Sequence, residues 1–275
     1  MPKQDRPIIF EEKEGVAFIR FNRPEKKNAI NAECWQLFDT YFQDLASRTD
    51  IRALVITGNK AGIFSAGVDV NPSDPLIARL LEALQAEDRQ TILAGIAYMQ
   101  KILTALADLP LPTIAAIDGA CYSGGLELCL ACDIRIASQS AELCFQETRL
   151  GLIPDLGGTV RLARLVGPSR AKDLIFSARI LDPDQALAMG LVNHVFPSEN
   201  FMQQVALYVA DLLANSPRAI QAVKQIISDS LDLPLDVALK LEQELAADTI
   251  LSSQCIEGVG AFLEKREPHW LKKSG

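Results

Sequence analysis

Three acidic residues between positions 117 and 165 have types and spacing that suit proton-transfer chemistry. Glu127 follows the glycine pair Gly124-Gly125, Glu147 comes twenty residues later, and Asp155 lies in the sequence Pro-Asp-Leu-Gly-Gly. Each stands in an apolar or glycine-rich setting, where an isolated carboxylate is costly to bury and is therefore either paired or functional. Burial also raises a carboxyl pKa toward neutrality, where the group can both donate and accept a proton. These acids form a candidate active site.

Two glycine turns add a second chemical element. Ala66-Gly67-Val68 and Ser123-Gly124-Gly125 both allow the backbone to turn sharply or to approach a ligand closely. Backbone N–H groups from two such turns can converge on one carbonyl oxygen and stabilise the negative charge that develops when a thioester becomes an enolate. Glu127 and Glu147 can then hold and activate one water molecule between them. The two turns are therefore a candidate oxyanion hole.

Short apolar segments that alternate with helical patterns must position these groups. Helical segments between strands are typical of crossovers in a mainly parallel sheet, so the sequence predicts an α/β fold. Ligand chemistry in such sheets gathers beyond the carboxyl ends of strands, where both glycine turns fall. The predicted strands are a hairpin over 8–21, buried strands at 53–57 and 111–117, and short extended segments at 134–137, 143–145 and 192–195.

The remaining segments predict helices. Asn31 is the predicted N-cap of a helix, and the region 71–108 contains two more, the first opening at Asn71-Pro72-Ser73. From Leu156 onward the pattern is almost wholly helical, so we predict a core domain over 1–195 and a helical C-terminal part over 196–275. The apolar face of the Asn31-capped helix is predicted to be Cys34, Leu37, Phe38, Tyr41, Phe42 and Leu45.

Composition and charge exclude several classes of protein. The formal net charge of −8 argues against general nucleic-acid binding, which needs a basic face. No apolar run reaches the roughly 18 residues that span a bilayer, and residues 1–15 lack the features of a signal or transit peptide. We therefore expect a cytoplasmic protein without a membrane partner. The basic cluster Arg23, Lys26 and Lys27 is predicted to be a solvated surface.

A C-x-x-C sequence, Cys129 to Cys132, raises the question of a metal or redox site. No second pair of this kind exists, and both histidines, His194 and His269, lie far away in sequence. Free cysteine at helical spacing in an apolar stretch commonly behaves as a small core residue. Core packing is therefore the prediction, and no metal site is expected.

The sequence resembles the crotonase superfamily, also called the enoyl-CoA hydratase/isomerase family, over almost its whole length. The resemblance implies a core of repeated ββα units with a helical C-terminal part that supports trimerisation, as a homotrimer or a dimer of trimers. It also implies acyl-CoA thioester substrates, with coenzyme A as part of the substrate and no separate cofactor. The segments that carry it in combination are NRPEKKNAIN, IFSAGVDV, IAAIDGACYSGGLELCLACDIRIAS, FQETRLGLIPDLGGTVRLARLVG, the stretch from Ala186 to Asn193, and EGVGAFLEKR.

The resemblance also implies roles for individual residues. The backbone N–H groups of Val68 and Gly124 would form the oxyanion hole. Glu127 would help to activate the attacking water, and Glu147 would protonate the α-carbon of the thioester. The coenzyme A entry region would include residues from two loops and one from the C-terminal part: Lys26, Lys27, Ala29, Ala66 and Lys265.

Asp155 departs from the hydratase pattern, which has glycine at this position. Its separation of eight residues from Glu147 resembles that of two acids in dienoyl-CoA isomerases, and the long 71–108 region is similar to theirs. Those isomerases carry Asp where this chain has Glu127, and the frame around Asp155 is hydratase-like. A turn or helix-cap residue before Leu156 is a further interpretation. Three hypotheses follow: an enoyl-CoA hydratase, a dienoyl-CoA isomerase using Glu147 and Asp155, and a catalytically silent acyl-CoA-binding member.

Overall fold

The computed structural model describes residues 6–58 and 62–270. The chain divides into two compact units. The first comprises the described residues up to Leu109 together with Thr113–Val205, and it contains all of the strands found in the described residues. The second comprises Pro110–Pro112 and the described residues from Ala206 onward, and its regular structure is helical.

A six-stranded sheet forms the centre of the first unit. Its strand order is β1-β2-β3-β5-β7-β9, in which β1 and β2 pair antiparallel and every other neighbouring pair is parallel. The predicted hairpin and the mainly parallel sheet are therefore confirmed. The strands are β1 (Ile8–Lys13), β2 (Val16–Phe21), β3 (Ala53–Gly58), β5 (Thr113–Ile117), β7 (Ile134–Ser138) and β9 (His194–Phe196).

A second, three-stranded parallel sheet follows the order β4 (Ile63–Ser65), β6 (Ala120–Tyr122) and β8 (Glu142–Cys144). Each of its strands comes directly after a strand of the first sheet, so the chain repeats the unit strand, short strand, helix. The expected repeated ββα core is thereby confirmed. The sequence pattern did not reveal β4 or β6, because three residues are too few to show the alternation by which strands are recognised.

Seven helices accompany the sheets of the first unit in the part of the chain that the structure describes. Asn31 caps the first of them as predicted, since its side-chain oxygen accepts a hydrogen bond of 3.0 Å from the Cys34 N–H. The helices are α1 (Ala32–Ser47), α2 (Pro75–Gln85), α3 (Arg89–Ala107), α4 (Gly124–Leu130), α5 (Gly158–Val166), α6 (Pro168–Ser177) and α7 (Pro183–Met189).

Two details of these helices differ from the sequence-based prediction. The buried face of α1 includes Trp35, while Leu37 and Tyr41 are only half-buried. Helix α2 does not open at Asn71-Pro72-Ser73; its N-cap is Asp74, whose carboxylate accepts from the Leu76 N–H at 3.0 Å. The same carboxylate accepts from the backbone N–H of the first residue of α1, so a tertiary contact sets this helix start.

The regular structure of the second unit is helical, and Ser216, Pro234 and Ser252 are the N-caps of the last three helices in the described residues. Helix α8 (Phe201–Leu213) spans the division between the units, and α9 (Pro217–Ser230), α10 (Leu235–Ile250) and α11 (Ser253–Glu264) follow it. Large apolar side chains are exposed on this unit, among them Leu251 and Phe262, each 81% exposed.

The cysteines of the C-x-x-C sequence are core residues, as predicted. Cys129 and Cys132 are buried, and the sulfur of Cys129 lies 3.6 Å from that of Cys121. Over residues 6–58 and 62–270, no group of three or more His, Cys, Asp or Glu side chains is placed to hold a metal ion. In the same residues, no helix has both the length and the apolar character needed to cross a membrane.

Candidate active site

The two glycine turns predicted to form an oxyanion hole lie against each other. One follows β4 and the other follows β6, and these strands are parallel neighbours, so their carboxyl ends meet at one edge of the small sheet. A Cβ atom placed on Gly67 would lie 3.0 Å from the backbone nitrogen of Gly124. One placed on Gly124 would lie 3.3 Å from the backbone nitrogen of Val68. Gly67 also has a φ of +99°, so this close approach requires glycine.

The backbone N–H groups of Val68 and Gly124 are available to a ligand. The Ile30 N–H donates to the Gly67 carbonyl at 2.8 Å, and the Ile30 carbonyl accepts from the Asp69 N–H at 2.9 Å. Ile30 therefore bonds the residues on either side of Val68 but not the Val68 N–H itself. Gly124 is the first residue of α4, where an N–H has no partner within the helix. Within the described residues, neither N–H donates to a protein acceptor. Two adjacent free donors are what a developing oxyanion needs.

Ser123 connects this pair of donors to the segment that carries Glu147. Its φ of 49° and ψ of −126° lie outside the conformations that a non-glycine residue normally adopts. The strained turn is held from two sides: the Ser123 N–H donates to the Cys144 carbonyl at 2.9 Å, and its hydroxyl accepts from the Gln146 N–H at 3.4 Å. The turn after β6 and the end of β8 are thus fixed together.

Glu127 lies one turn into α4 and is 1% exposed. Its Oε2 atom accepts two backbone hydrogen bonds, from the Leu156 N–H at 2.9 Å and from the Gly158 N–H at 2.7 Å. A Cβ atom on Gly158 would lie only 2.5 Å from that oxygen, so glycine at this position makes room for the carboxylate. Burial, and after it the charge of Glu147, raises the pKa of Glu127 to about 8, although the Gly158 N–H opposes the shift.

Glu147 begins a short 3-10 turn and is 7% exposed. In the described part of the chain, neither of its carboxylate oxygens has a hydrogen-bond partner, although both are buried. Burial raises the pKa of Glu147 to about 7, and the charge of Asp155 adds to the shift. A buried carboxylate without partners is costly to the fold and is available to a substrate or to water.

Asp155 is half-buried, and its charge raises the pKa of both glutamates. Burial raises the pKa of Asp155 as well. The structure therefore brings all three predicted acids into one electrostatic cluster. Asp155 lies in a turn, which was one of the sequence interpretations, but it is not a helix cap, because the N-cap of α5 is Gly157 and no side chain caps that helix.

The raised pKa values of the glutamates link stability to pH. An unfolded glutamate has a pKa of about 4.3, so above that pH the unfolded chain loses protons that the folded chain still holds. Their stabilising contribution is complete below about pH 4.3 and is lost as the pH rises through the folded-state values of about 7 for Glu147 and about 8 for Glu127.

The Glu147→Gln variant should resist this loss. We expect its free energy of unfolding, relative to the wild type, to rise by on the order of 1 kcal/mol between about pH 6 and about pH 8.5, since one pKa unit corresponds to about 1.4 kcal/mol. Urea unfolding at the two pH values measures the difference. Glu33→Gln, which changes an exposed acid of α1, is the control and should show no pH-dependent difference. If the free energies of unfolding of Glu147→Gln and Glu33→Gln changed equally between the two pH values, the prediction would be wrong.

Four of the five predicted coenzyme A residues lie on two loops that are bonded to each other. The Ala66 N–H donates to the Lys27 carbonyl at 3.0 Å, and Lys26 and Lys27 are exposed. The Ala29 carbonyl accepts from the Arg23 guanidinium at 2.6 Å. Lys265 belongs to the second unit, where it ends α11, and its predicted contact with coenzyme A stays a prediction.

Sequence reasoning missed a buried ion pair beside these loops. Arg23 was expected on a solvated surface, but its Nη1 atom lies 2.7 Å from Asp69 Oδ2, and the two side chains are only 16% and 10% exposed. Asn28 is also buried, and its side chain donates to the Ile63 carbonyl at 3.0 Å. The partners are 46 and 35 residues apart, so no local pattern reveals them.

Comparisons with known proteins agree with this architecture. The sequence model of the family described as Enoyl-CoA hydratase/isomerase matches residues 11–273. The mouse mitochondrial methylglutaconyl-CoA hydratase is 36% identical over 264 residues, covering 94% of this chain and 81% of that protein. The short-chain-enoyl-CoA hydratase of Clostridium acetobutylicum is 33% identical, covering 96% and 97%.

A solved structure gives the same result for the fold. The crystal structure of enoyl-CoA hydratase from Bacillus anthracis superposes with a TM-score of 0.86 at 30% sequence identity. The superposition covers 96% of this chain and 98% of that one. The similarity therefore extends over both the strand-containing core and the helical C-terminal part.

Proposed function

Because this chain belongs to the enoyl-CoA hydratase/isomerase family, we propose that it is a hydratase that adds water across the double bond of a 2-trans-enoyl-CoA thioester. The observation that carries the proposal is the cluster at the end of the small sheet. Two buried glutamates with pKa values of about 8 and about 7 lie in one cluster, and α4 carries both Glu127 and the free N–H of Gly124. Hydration of a conjugated thioester needs both elements.

The proposed reaction begins with polarisation of the thioester carbonyl. The N–H groups of Val68 and Gly124 donate to its oxygen, which makes C3 electrophilic and stabilises the enolate that forms when water attacks. Water bonds to C3 and passes a proton to Glu127, while Glu147 gives a proton to C2. One water is added, and the proton balance of the pair is restored when Glu127 returns a proton to Glu147.

The environments of the two carboxyls set where their shared proton lies. In the free protein Glu127 has the higher pKa, about 8 against about 7 for Glu147, so this proton lies mainly on Glu127. The two backbone N–H bonds that Glu127 accepts favour its charged form, and the proposed roles require the proton to pass to Glu147 in the substrate complex. A bound substrate excludes water and strengthens the N–H bonds to Glu127. The pair then carries one proton between its members near neutral pH. The mechanism uses no metal or redox cofactor, and coenzyme A enters as part of the substrate.

A substrate panel tests the proposal. Purified protein is mixed with crotonyl-CoA, longer 2-trans-enoyl-CoAs, 3-methylglutaconyl-CoA and a dienoyl-CoA, and products are identified by mass. We expect the enoyl-thioester absorbance to fall as one water is gained. The curated relatives support both a short-chain and a methylglutaconyl substrate, because hydratases with those names are 33% and 36% identical to this chain. Products of unchanged mass, or no turnover of any thioester, would contradict a hydratase.

Asp155 favours a second candidate function, a dienoyl-CoA isomerase. Its pKa is raised by burial, and its charge acts on Glu147, so the two acids can in principle exchange protons with different carbons of one substrate. Such an enzyme moves double bonds without adding water. The hydratase remains the better-supported proposal because Glu127 is more deeply buried than Asp155 and its carboxylate is held by two backbone hydrogen bonds.

Asp155→Asn separates the two functions. If the chain is a hydratase, we expect hydration to be retained within about threefold, because Asp155 takes no proton in that mechanism. If Glu147 and Asp155 act together, isomerisation should fall by about 10²-fold or more, the usual effect of losing an acid–base group. Removing one negative charge should also lower the pKa of both glutamates, which a kcat/KM pH profile measures. Hydration that collapses with this variant would overturn the assigned roles.

The assembly and location of the enzyme are part of the same proposal. A homotrimer or dimer of trimers would cover the exposed apolar side chains of the helical unit, which are costly to leave in water. All six cysteines are free thiols, which fits the reducing cytoplasm. Sedimentation of the purified chain measures the mass of the assembly, and a monomer would contradict this part.

A further inference from the structure

The turn that holds Glu127 is itself held from outside the predicted site. Residues 154–158 form this turn, which connects the segment after Glu147 to α5. Two of its N–H groups, those of Leu156 and Gly158, donate to Glu127. Among its carbonyls, that of Asp155 accepts from Gln100 Nε2 at 2.6 Å, and that of Leu156 accepts from Arg161 Nη1 at 3.1 Å.

Gln100 and Glu127 are connected through a single peptide unit. The Asp155 carbonyl and the Leu156 N–H belong to the same planar amide, and in a trans peptide these two groups point in opposite directions. Gln100 therefore bonds one side of the amide while Glu127 bonds the other. The orientation of that plane determines whether the Leu156 N–H is directed at the carboxylate. Bonding at both ends also polarises the amide, which strengthens each bond.

Helix α3 provides a rigid support for this contact. Gln100 lies on an exposed part of α3, and Thr104 is four residues further along on the same face. The Thr104 hydroxyl accepts from Arg161 Nη2 at 3.3 Å, so the guanidinium that bonds the Leu156 carbonyl is tied to α3 as well. The Asp155 and Leu156 carbonyls are thus both connected to α3, a helix of 19 residues.

We propose that Gln100 is a positioning residue for Glu127, acting through the Asp155–Leu156 peptide rather than by contact with substrate. The proposal rests on the hydratase function only for its kinetic consequence. The structural consequence, that the Leu156 N–H remains bonded to Glu127, is independent of the reaction. The amide side chain suits this task because Nε2 can only donate, and the carbonyl it meets can only accept.

Three substitutions test the proposal. Gln100→Leu removes the donor at similar size, Gln100→Glu replaces it with an acceptor that repels the carbonyl, and Gln100→Lys restores a donor on a flexible chain. Gln90→Leu, an exposed change on the same helix, is the matched control. The first readout is amide hydrogen exchange of a peptide containing residues 156–158. We expect exchange about tenfold faster in the Leu and Glu variants, near wild-type rates with Lys, and no change in the control.

The second readout is steady-state kinetics with the enoyl-CoA that the wild type hydrates. We expect kcat to fall about tenfold in the Leu and Glu variants with KM nearly unchanged, and the Lys variant to recover most of the loss. Wild-type exchange and wild-type kcat in Gln100→Glu would overturn the proposal, as would equal losses in the control. If the wild type hydrates no enoyl-CoA, the hydratase proposal fails while the exchange measurement still decides the role of Gln100.

Discussion

Glu147→Gln should abolish most of the hydratase activity while leaving the fold and substrate binding intact. The amide has nearly the shape of the carboxyl but cannot give up a proton to C2, and loss of a general acid lowers rates by about 10²–10⁴-fold. The carboxylate oxygens of Glu147 have no hydrogen-bond partner within the described residues, so the substitution breaks no side-chain hydrogen bond of the fold. The loss should therefore appear in kcat, with KM within a few-fold of the wild-type value.

Two controls make this result specific. Glu33→Gln changes an exposed acid at the start of α1 and should retain full activity. The saturated thioester butyryl-CoA, which cannot be hydrated, should bind the wild type and Glu147→Gln with the same Kd. Activity above about a tenth of the wild-type value would contradict the role of Glu147 as proton donor. A large fall in butyryl-CoA affinity would instead assign the residue to binding.

Gly158→Ala should produce a comparable loss by a different route. The new methyl group would lie 2.5 Å from Glu127 Oε2 and 2.6 Å from its Cγ, so the carboxylate must move. The displacement would weaken both backbone hydrogen bonds of the carboxylate and move it from the position that the proposed mechanism requires. We expect kcat to fall by about 10²-fold or more and the free energy of unfolding to fall by about 1–3 kcal/mol.

Gly260→Ala is the matched control for this substitution. Gly260 lies inside helix α11, and a Cβ atom placed there meets nothing within 4 Å. The change should be neutral or should stabilise the protein by up to about 1 kcal/mol, because alanine is the better helix former. Urea unfolding and crotonyl-CoA hydration are measured for both variants. A Gly158→Ala protein with wild-type activity would show that Glu127 does not need its present position.

Much of the fold follows from local pattern. The hairpin, the buried strands β3 and β5, and the helix capped by Asn31 are each specified by residues close together in sequence. The short strands β4 and β6 are not, because three residues form a strand only when a neighbouring strand completes their hydrogen bonds. Their pairing brings the two glycine turns together, so the proximity of Val68 and Gly124 depends on an unpredicted sheet.

In the candidate site too, some features follow from local sequence and others depend on distant segments. Residue type and setting identified Glu127, Glu147 and Asp155, since isolated acids in apolar sequence are unusual. Sequence could not distinguish a cap from a proton-handling group at Asp155. The helix start at Gly157 excludes the cap, and the proton-handling role of Asp155 stays a prediction that Asp155→Asn tests. Nor could it find Gln100, an ordinary polar residue on a helix surface, whose partner lies 55 residues away.

The sequence by itself therefore determined the chemical groups and the family, and the resemblance to that family implied the repeated ββα core. The tertiary structure alone decided which of those groups are adjacent and how each is charged. The physical reason is that residue type and local spacing determine what a side chain can do, whereas burial, hydrogen-bond partners and neighbouring charges come from distant segments. For Glu127 these are the Leu156 and Gly158 N–H groups and the charge of Glu147. Burial and the charge of Glu147 raise the pKa of Glu127 to about 8, and the two N–H groups oppose that shift.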